Sequence, residues 1–165
     1  MTRLFVAIWP PADVLDQLAD IERPKDQGVK WVPQENLHIT LRFLGDADED
    51  EVSARLDDVQ LPSATAVVGP ALDLLGERSL ISPVAGLDEL AAVVQRAVRG
   101  LGTEPERKRF RGHITVARLA RRARPHRSAG RRFDATFDVT EVALVASTLT
   151  DAGAVYDTVA SWPTR

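Results

Sequence analysis

The chain contains the same short pattern twice, since residues 38–41 read HITL and residues 113–116 read HITV. Both segments are rich in β-branched and apolar residues, which predicts a strand at each. Side chains alternate between the two faces of a strand, so each histidine shares a face with its threonine while the apolar residues face the other way. We therefore expect two equivalent strands, each with a buried apolar face and an open face that carries an imidazole and a hydroxyl.

The order of the remaining elements also suggests a duplication. Apolar periodicity and turn residues predict strands at 4–9, 29–32, 37–44, 64–75, 80–84, 112–119, 133–149 and 155–160, and helices at 12–21, 46–59 and 87–101. The sequence strand, helix, strand, strand occurs twice, which favours a duplicated α+β fold with antiparallel or mixed sheets in one domain spanning 1–165. No glycine-rich turn joins a strand to a helix, so a parallel nucleotide-binding sheet is disfavoured.

Cysteine is absent from the 165 residues, which excludes disulfides, thiolate nucleophiles and cysteine-ligated metals. The apolar run at residues 4–9 is shorter than the roughly 7–15 residues of a secretory signal and is interpreted as a buried strand. No stretch approaches the ~20 apolar residues of a membrane span. We expect a cytoplasmic, monomeric protein with no obligate protein partner.

Charge is distributed unevenly along the chain. The formal net charge is −3, yet the segment from Arg107 to Arg132 holds eleven Lys or Arg and no Asp or Glu. A concentrated basic segment favours an anionic ligand, with nucleic acid the obvious candidate. The alternative, which stays open for residues 120–132, is an arginine-rich loop that is simply solvated. If RNA binds, we expect Arg121, Arg122 and Arg124 to matter more for its affinity than for turnover of a mononucleotide.

The paired pattern suits phosphodiester chemistry without a metal. One neutral histidine can take a proton from water while a protonated one gives a proton to the departing oxygen, and hydroxyls can donate to the phosphoryl oxygens. A lone histidine in a strand is usually structural, but matched frames make His38 and His113 candidates for catalysis, with Thr40 and Thr115 beside them. His126, the third histidine, is expected to be a solvated loop side chain.

Strand parity adds two arginines to the candidates. Arg42 lies four residues after His38 and Arg111 two residues before His113, so both are expected on the open face, where a guanidinium can pair with phosphate. Arg118 has the wrong parity for a regular strand. Strand parity likewise predicts that Leu41, Phe43 and Ile114 face the core.

These segments resemble the two-histidine (2H) phosphoesterases, specifically the LigT-like RNA 2′,3′-cyclic phosphodiesterases. The resemblance covers the opening strand at 3–8, the first block at 31–45, the second block at 110–118, and Ser147 with Tyr156 near the C-terminus. It departs at Gly112, where the family commonly has proline, and at Ala146, where a basic residue is frequent and alanine is expected to weaken substrate binding.

The resemblance implies a bilobal fold with flanking helices and the two motifs facing each other across a central cleft. It implies hydrolysis of RNA 2′,3′-cyclic phosphate ends to 2′-phosphomonoesters without metal or cofactor, and a reversible 2′–5′ RNA ligation. By position, His38 and His113 carry over as catalytic and Thr40 and Thr115 as phosphate-binding. Arg118 stands where the family usually has an arginine, so the resemblance makes it a stronger candidate for phosphate binding than strand parity does.

Other functions remain open at this point. The same site could act on a small cyclic nucleotide, an ADP-ribose cyclic phosphate or a non-nucleotide phosphodiester, because the motif residues contact phosphate rather than base. A non-catalytic RNA-binding module is the alternative of a different class, but it leaves the two patterns unexplained, and aromatic residues, which would stack bases, make up only 5% of the chain. A metal-dependent esterase is disfavoured because three histidines in these positions form no ligand cluster. The residues do not distinguish which histidine is the base.

Overall fold

The computed structural model describes residues 3–105, 109–123 and 127–165, which form an α+β fold. The strands are β1 (Arg3–Ile8), β2 (Val29–Trp31), β3 (Ile39–Asp46), β4 (Ala64–Val68), β5 (Asp73–Leu75), β6 (Ser79–Ala85), β7 (His113–Leu119), β8 (Ala135–Val139), β9 (Glu141–Thr150) and β10 (Gly153–Pro163). The helices are α1 (Ala12–Ala19), α2 (Glu49–Asp57) and α3 (Asp88–Ala97), with one 3₁₀ turn at Gln34–Asn36.

The strands form one curled sheet rather than two separate ones. Eight of them follow the order β10-β9-β1-β3-β7-β6-β4-β8, with β2 paired to β7 and β5 paired to β6. The two halves join where β3 meets β7, through the antiparallel pair Ile39 and Ile114. The element run β1-α1-β3 has a counterpart in β6-α3-β7 across this junction, and the duplication itself stays a prediction. β2 crosses onto the second half instead of taking part in the repeat.

The two faces of the sheet differ in what covers them. On one face the three helices bury their apolar side chains against the strands, and this main core includes Val14 of α1, Leu56 of α2 and Val94 of α3. On the opposite face of the first half lies a small second cluster in which Phe5 and its neighbours on β9 pack beneath aromatic rings. The second face is therefore the one left for the cleft.

Several predicted elements have different limits in the structure. The predicted strand 64–75 is interrupted after β4, where Gly69 has a φ of 113° and any Cβ would lie 2.0 Å from the Phe133 carbonyl oxygen. The predicted stretch 133–149 is two strands, because β8 pairs with β4 at one end of the sheet while β9 pairs with β1 and β10 near the other. The predicted helix 87–101 is regular only over α3, although Leu87, Val98 and Leu101 at its flanks are buried.

The acidic opening of the second helix is confirmed. The Asp48 carboxylate accepts hydrogen bonds from the backbone N–H groups of Asp50 at 2.9 Å and Glu51 at 3.2 Å, so it caps α2. A screen of the described helices for length and hydropathy finds none that could cross a membrane. The predictions for His126 and Arg124 concern residues outside the described part of the chain.

Candidate active site

The two repeated segments lie side by side at the junction of the halves. Because Ile39 pairs with Ile114 in an antiparallel ladder, His38 comes opposite Thr115 and Thr40 comes opposite His113. Both isoleucines are fully buried, and the next apolar residue of each segment is also in the core. The prediction that the apolar positions face the core while the histidines and threonines share the open face is confirmed.

Two hydrogen bonds orient the ring of His38. Its Nδ1 lies 2.7 Å from the Asn36 carbonyl oxygen, which can only accept, so Nδ1 carries a proton and donates. Its Nε2 lies 3.0 Å from the Thr40 hydroxyl oxygen. In the neutral ring Nε2 is then the acceptor and the hydroxyl donates to it. This tautomer leaves the basic nitrogen on the cleft side.

Three aromatic rings surround His38 on its remaining sides. The centroid of its ring lies 4.8 Å from that of Phe5, 5.3 Å from that of Tyr156 and 5.7 Å from that of Trp9. The Trp9 indole N–H donates to the Thr158 hydroxyl at 2.9 Å, which fixes that ring. These three rings, named the aromatic cage below, bring residues of β1 and β10 together with the first motif.

Burial lowers the pKa of His38 below its ordinary value of 6.5. The hydrogen bond to Asn36 opposes this effect, and the positive charges of Arg118 and His113 lower the pKa further. Desolvation disfavours the charged imidazolium because the cage rings replace water that would solvate it. His38 is therefore neutral in the resting protein near pH 7.

His113 has the same backbone anchor in a more open setting. Its Nδ1 lies 2.7 Å from the Arg111 carbonyl oxygen, so this nitrogen also donates and Nε2 is directed elsewhere. The ring is partly exposed, and among the described residues no aromatic ring packs against it as the cage rings pack against His38. The two imidazoles thus share an orientation but differ in solvation.

Arg42 does not lie on the open face, contrary to the parity argument. Opposite β1, Val6 pairs with Arg42 and Ala7 pairs with Thr40, so Leu41 is an extra residue and forms a bulge. The bulge reverses the alternation and turns Arg42 into the interior, where it is only 5% exposed. Its guanidinium donates to the carbonyl oxygen of Phe43 at 3.0 Å and to that of Leu101 at 3.4 Å. The prediction that Arg42 binds phosphate is wrong.

The same bulge overturns the prediction that Phe43 is a core residue. Phe5 pairs with Phe43 and Ala7 with Thr40, so Phe43 and Thr40 share the open face. The Phe43 side chain is 45% exposed. The guanidinium carbon of Arg3 lies 5.6 Å from its ring centroid, a cation–π distance.

Arg118 reaches the cleft through an equivalent bulge in the second half. Opposite β6, Leu80 pairs with Ala117 and Ile81 with Thr115, so Val116 is the extra residue. Ser79, which shares a face with Ile81, pairs with Arg118, and this places Arg118 on the face of Thr115. Arg118, Thr115 and His38 line a cavity of about 380 Å³. The parity ranking was wrong, and the position inferred from the family resemblance agrees with the structure.

Arg111 contributes to the site through its backbone, while its side chain pairs with Asp73 of β5. Its carbonyl oxygen anchors His113, while its guanidinium lies 3.8 Å from the Asp73 carboxylate, with both side chains more than half exposed. An exposed pair at this distance is weak, so the guanidinium can exchange the carboxylate for a phosphate.

The two departures from the family pattern have structural explanations. A Cβ at Gly112 would lie 2.4 Å from the Val84 carbonyl oxygen, so this backbone contact requires glycine. Ala146 pairs with Leu4 on the core face and is only slightly exposed. The Ala146 side chain therefore faces the core and not the cleft, and its effect on substrate binding stays a prediction.

Sequence reasoning missed the aromatic cage and Lys30. Phe5 and Trp9 show the alternation expected of one strand face, but nothing in the sequence indicated that they would meet His38. Lys30 pairs with Arg118 across β2 and β7 and lines the same cavity. In the part of the chain that is described, no cluster of three His, Cys, Asp or Glu side chains is placed to hold a metal ion.

This cleft, in which two matched His-x-Thr strands oppose each other, defines a two-histidine phosphoesterase site. The family described as LigT-like phosphoesterase matches residues 8–66 and 81–156, one motif in each segment, and the chain belongs to this family. The RNA 2′,3′-cyclic phosphodiesterase of Methanocaldococcus jannaschii is 26% identical over 97% of this chain and 99% of its own length. The protein of the same name from Archaeoglobus fulgidus is 30% identical over 93% and 96%.

A solved structure agrees with this assignment. The crystal structure of Escherichia coli LigT complexed with 3′-AMP superposes with a TM-score of 0.80 at 26% identity, covering 99% of this chain and 98% of that one. The predicted α+β class is confirmed, and the division into two lobes stays a prediction.

Proposed function

We propose that this protein hydrolyses RNA 2′,3′-cyclic phosphate ends, with His38 and His113 as its acid–base pair. The observation that carries the proposal is the opposed arrangement in which each histidine faces the threonine of the other motif across the β3–β7 junction. The names of the relatives, RNA 2′,3′-cyclic phosphodiesterases that align over nearly the whole chain, support the same reaction.

The difference in solvation between the histidines supports an assignment of roles. His38, whose pKa is lowered by burial, is neutral and can act as the base. Its Nε2 takes a proton from water as the water oxygen bonds to phosphorus. The bond from phosphorus to the ribose 3′ oxygen breaks, and Nε2 of protonated His113 gives that oxygen its proton. The product is a 2′-phosphomonoester and a 3′ hydroxyl, and both histidines return to their starting states by proton exchange with water.

The hydroxyls and cations stabilise the charge on the phosphoryl oxygens in this scheme. The Thr40 hydroxyl, which donates to His38 in the resting state, rotates toward a non-bridging oxygen, and Thr115 approaches from the other strand. Arg118 lies on the same face as Thr115, and the Arg111 guanidinium is a further candidate if it leaves Asp73. Donors aimed at developing charge are usually among the largest contributions to catalysis.

The experiment that tests the proposal is hydrolysis of an RNA oligomer ending in a 2′,3′-cyclic phosphate, in excess EDTA. We expect the wild type to convert it to a 2′-phosphate, while the double variant His38→Ala/His113→Ala does not. A mononucleoside 2′,3′-cyclic phosphate and an ADP-ribose cyclic phosphate are assayed in parallel. Turnover of these small substrates alone would contradict the RNA assignment, and binding of RNA without turnover of any substrate would favour a binding module.

The role of His38 as base predicts the pH dependence of kcat/KM. A base must be deprotonated, so activity falls as the pH drops through the pKa of free His38. Because burial lowers this pKa, we expect the acid limb of the profile to lie below 6.5, the ordinary histidine value. NMR titration of the three histidine rings, assigned with single variants, measures the same pKa directly.

Substitution of Arg118 provides a control for this pH profile. Its charge also lowers the pKa of His38, so Arg118→Gln should move the acid limb upward toward 6.5 while reducing kcat/KM. An acid limb at or above 6.5 in the wild type would contradict the assignment of His38 as the base.

The cytoplasmic location and the monomeric state stay predictions.

A further inference from the structure

We propose that the cleft continues into a binding track for the RNA strand upstream of the cyclic phosphate, formed by Lys30, Arg118, Arg121 and Arg122. These residues are called the basic track below, and Arg121 with Arg122 its arginine tip. The inference deepens the proposed function, on which it rests, by naming the substrate as an oligonucleotide rather than a mononucleotide.

The inner end of the track opens directly from the catalytic cavity. Lys30 and Arg118 are paired across β2 and β7, and both line the cavity that contains His38 and Thr115. Both side chains are exposed. Arg118 and His38 line the same cavity, so a cation lies beside the place proposed for the reacting phosphate. A strand leaving the site on this side therefore meets two positive charges first.

The basic loop after β7 contains arginines of two kinds. Arg127 donates to the Asp26 carboxylate at 2.7 Å, and Arg131 donates to the Glu22 carboxylate at 2.8 Å, so these two tie the loop to the segment before β2. Among the described residues, by contrast, neither member of the arginine tip is ion-paired. Arg127 and Arg131 therefore pair with carboxylates of the protein, whereas no described carboxylate pairs with the tip charges, which can bind a ligand.

The arginine tip is held in an unfavourable backbone conformation. Arg122 has a φ of 68°, the only positive value for a non-glycine among the described residues. The turn is fixed because the Ala120 N–H donates to the Gly28 carbonyl at 2.8 Å and the Ala123 N–H donates to that of Ala120 at 3.0 Å. A left-handed arginine costs free energy, and such strain persists mainly where function requires it.

The tip lies close to the cavity along the chain and borders further clefts. Arg121 and Arg122 border two surface clefts of about 720 and 660 Å³, one on the side of Lys25 and the other on the side of Arg78. Arg121 follows Arg118 by three residues, at most about 10 Å of extended chain. Cations at such intervals fit a flexible polyphosphate, which a single mononucleotide phosphate could not span. The ligand class is therefore single-stranded RNA.

The test compares the kinetics of a tip variant on an RNA oligomer with its kinetics on a mononucleotide. The variant Arg121→Gln/Arg122→Asn removes both tip charges, with asparagine chosen because it tolerates left-handed backbone. We expect its KM for an RNA oligomer with a cyclic phosphate end to rise about tenfold, since two solvent-exposed ion pairs with phosphates are lost. KM and kcat for a mononucleoside cyclic phosphate should not change.

Salt dependence and a matched control complete the experiment. Each phosphate contact with a single strand contributes about −0.7 to the slope of log K against log salt concentration. Because the variant loses two such contacts, its slope should be shallower by about 1.4. Fluorescence anisotropy with an oligomer ending in a 2′-phosphate measures this without turnover. The control, Arg96→Gln/Arg99→Gln, removes two exposed charges on and just after α3, behind the sheet.

An unchanged oligomer KM in the tip variant would overturn the track. So would an equal loss in the control variant, or an equal loss on the mononucleotide. If the wild type hydrolyses neither substrate but binds the oligomer through the tip, the proposed function fails and the track stands.

Discussion

Replacing either histidine alone is expected to reduce kcat by about 10²–10⁴-fold, because each positioned proton transfer contributes that much to the rate. His38→Ala and His113→Ala should each have this effect on an RNA oligomer ending in a cyclic phosphate, measured under single-turnover conditions. The physical reason is that the two transfers occur on opposite sides of phosphorus, so neither imidazole can substitute for the other.

Controls are needed because His38 also packs against the aromatic cage. His38→Gln keeps more of the side-chain volume and a polar end, and a loss of rate in both His38 variants with a preserved circular dichroism spectrum would separate chemistry from folding. His126→Ala is the matched control, since His126 belongs to neither motif and should leave kcat unchanged. Substantial turnover by folded His38→Ala or His113→Ala would exclude the acid–base pair.

Truncation of Ile114 is the second large effect, and it concerns the junction of the two halves. Ile114 is fully buried and is paired with Ile39 where β3 meets β7. We expect Ile114→Ala to reduce the free energy of unfolding by about 2–5 kcal/mol, since it removes buried methyl groups and leaves a cavity. Urea denaturation followed by fluorescence of the three tryptophans measures the change.

Two matched variants test whether burial at the junction is the cause. Ile114→Val deletes a single carbon and should cost about 0.5–1.5 kcal/mol. Val67→Ala, on an exposed position of β4, should stay within about 0.5 kcal/mol of the wild type. A cost for Ile114→Ala no larger than that for Val67→Ala would contradict the central role of this pair.

The cleft is symmetric in its motifs and asymmetric in its surroundings. Each half supplies a histidine anchored through Nδ1 to the carbonyl two residues before it, at 2.7 Å in both. The residue five positions after the histidine is Phe43 in the first half and Arg118 in the second. The two halves thus carry different side chains at equivalent places in the sequence, so the two imidazoles have different surroundings.

Much of this could be predicted from the sequence because it depends on local alternation. The histidines and threonines share the open face and Ile39 and Ile114 face the core, as strand parity requires over two or three residues. The repeat itself indicated that two such strands exist, and the absence of cysteine limited the chemistry to imidazole and hydroxyl groups.

Predictions from side-chain alternation were wrong for residues that lie beyond a β-bulge. The extra residues Leu41 and Val116 reverse the alternation in β3 and β7, so Arg42 is interior while Phe43 and Arg118 face the cleft. A bulge is a property of how two strands pair, and neither strand reveals it alone. The family resemblance predicted the position of Arg118 better than parity did, because the members of a family share a fold and therefore the way its strands pair.

The sequence by itself determined which residues could carry the chemistry and which of their neighbours are buried, because these follow from residue type and from the period of a strand. Only the tertiary structure decided that β1 and β10 bring Phe5 and Tyr156 against His38, that Lys30 stands beside Arg118, and that Asp26 ties down the basic loop. These contacts join residues far apart in the chain. Their distances are set by the order and register of strands in the sheet, which no local pattern encodes.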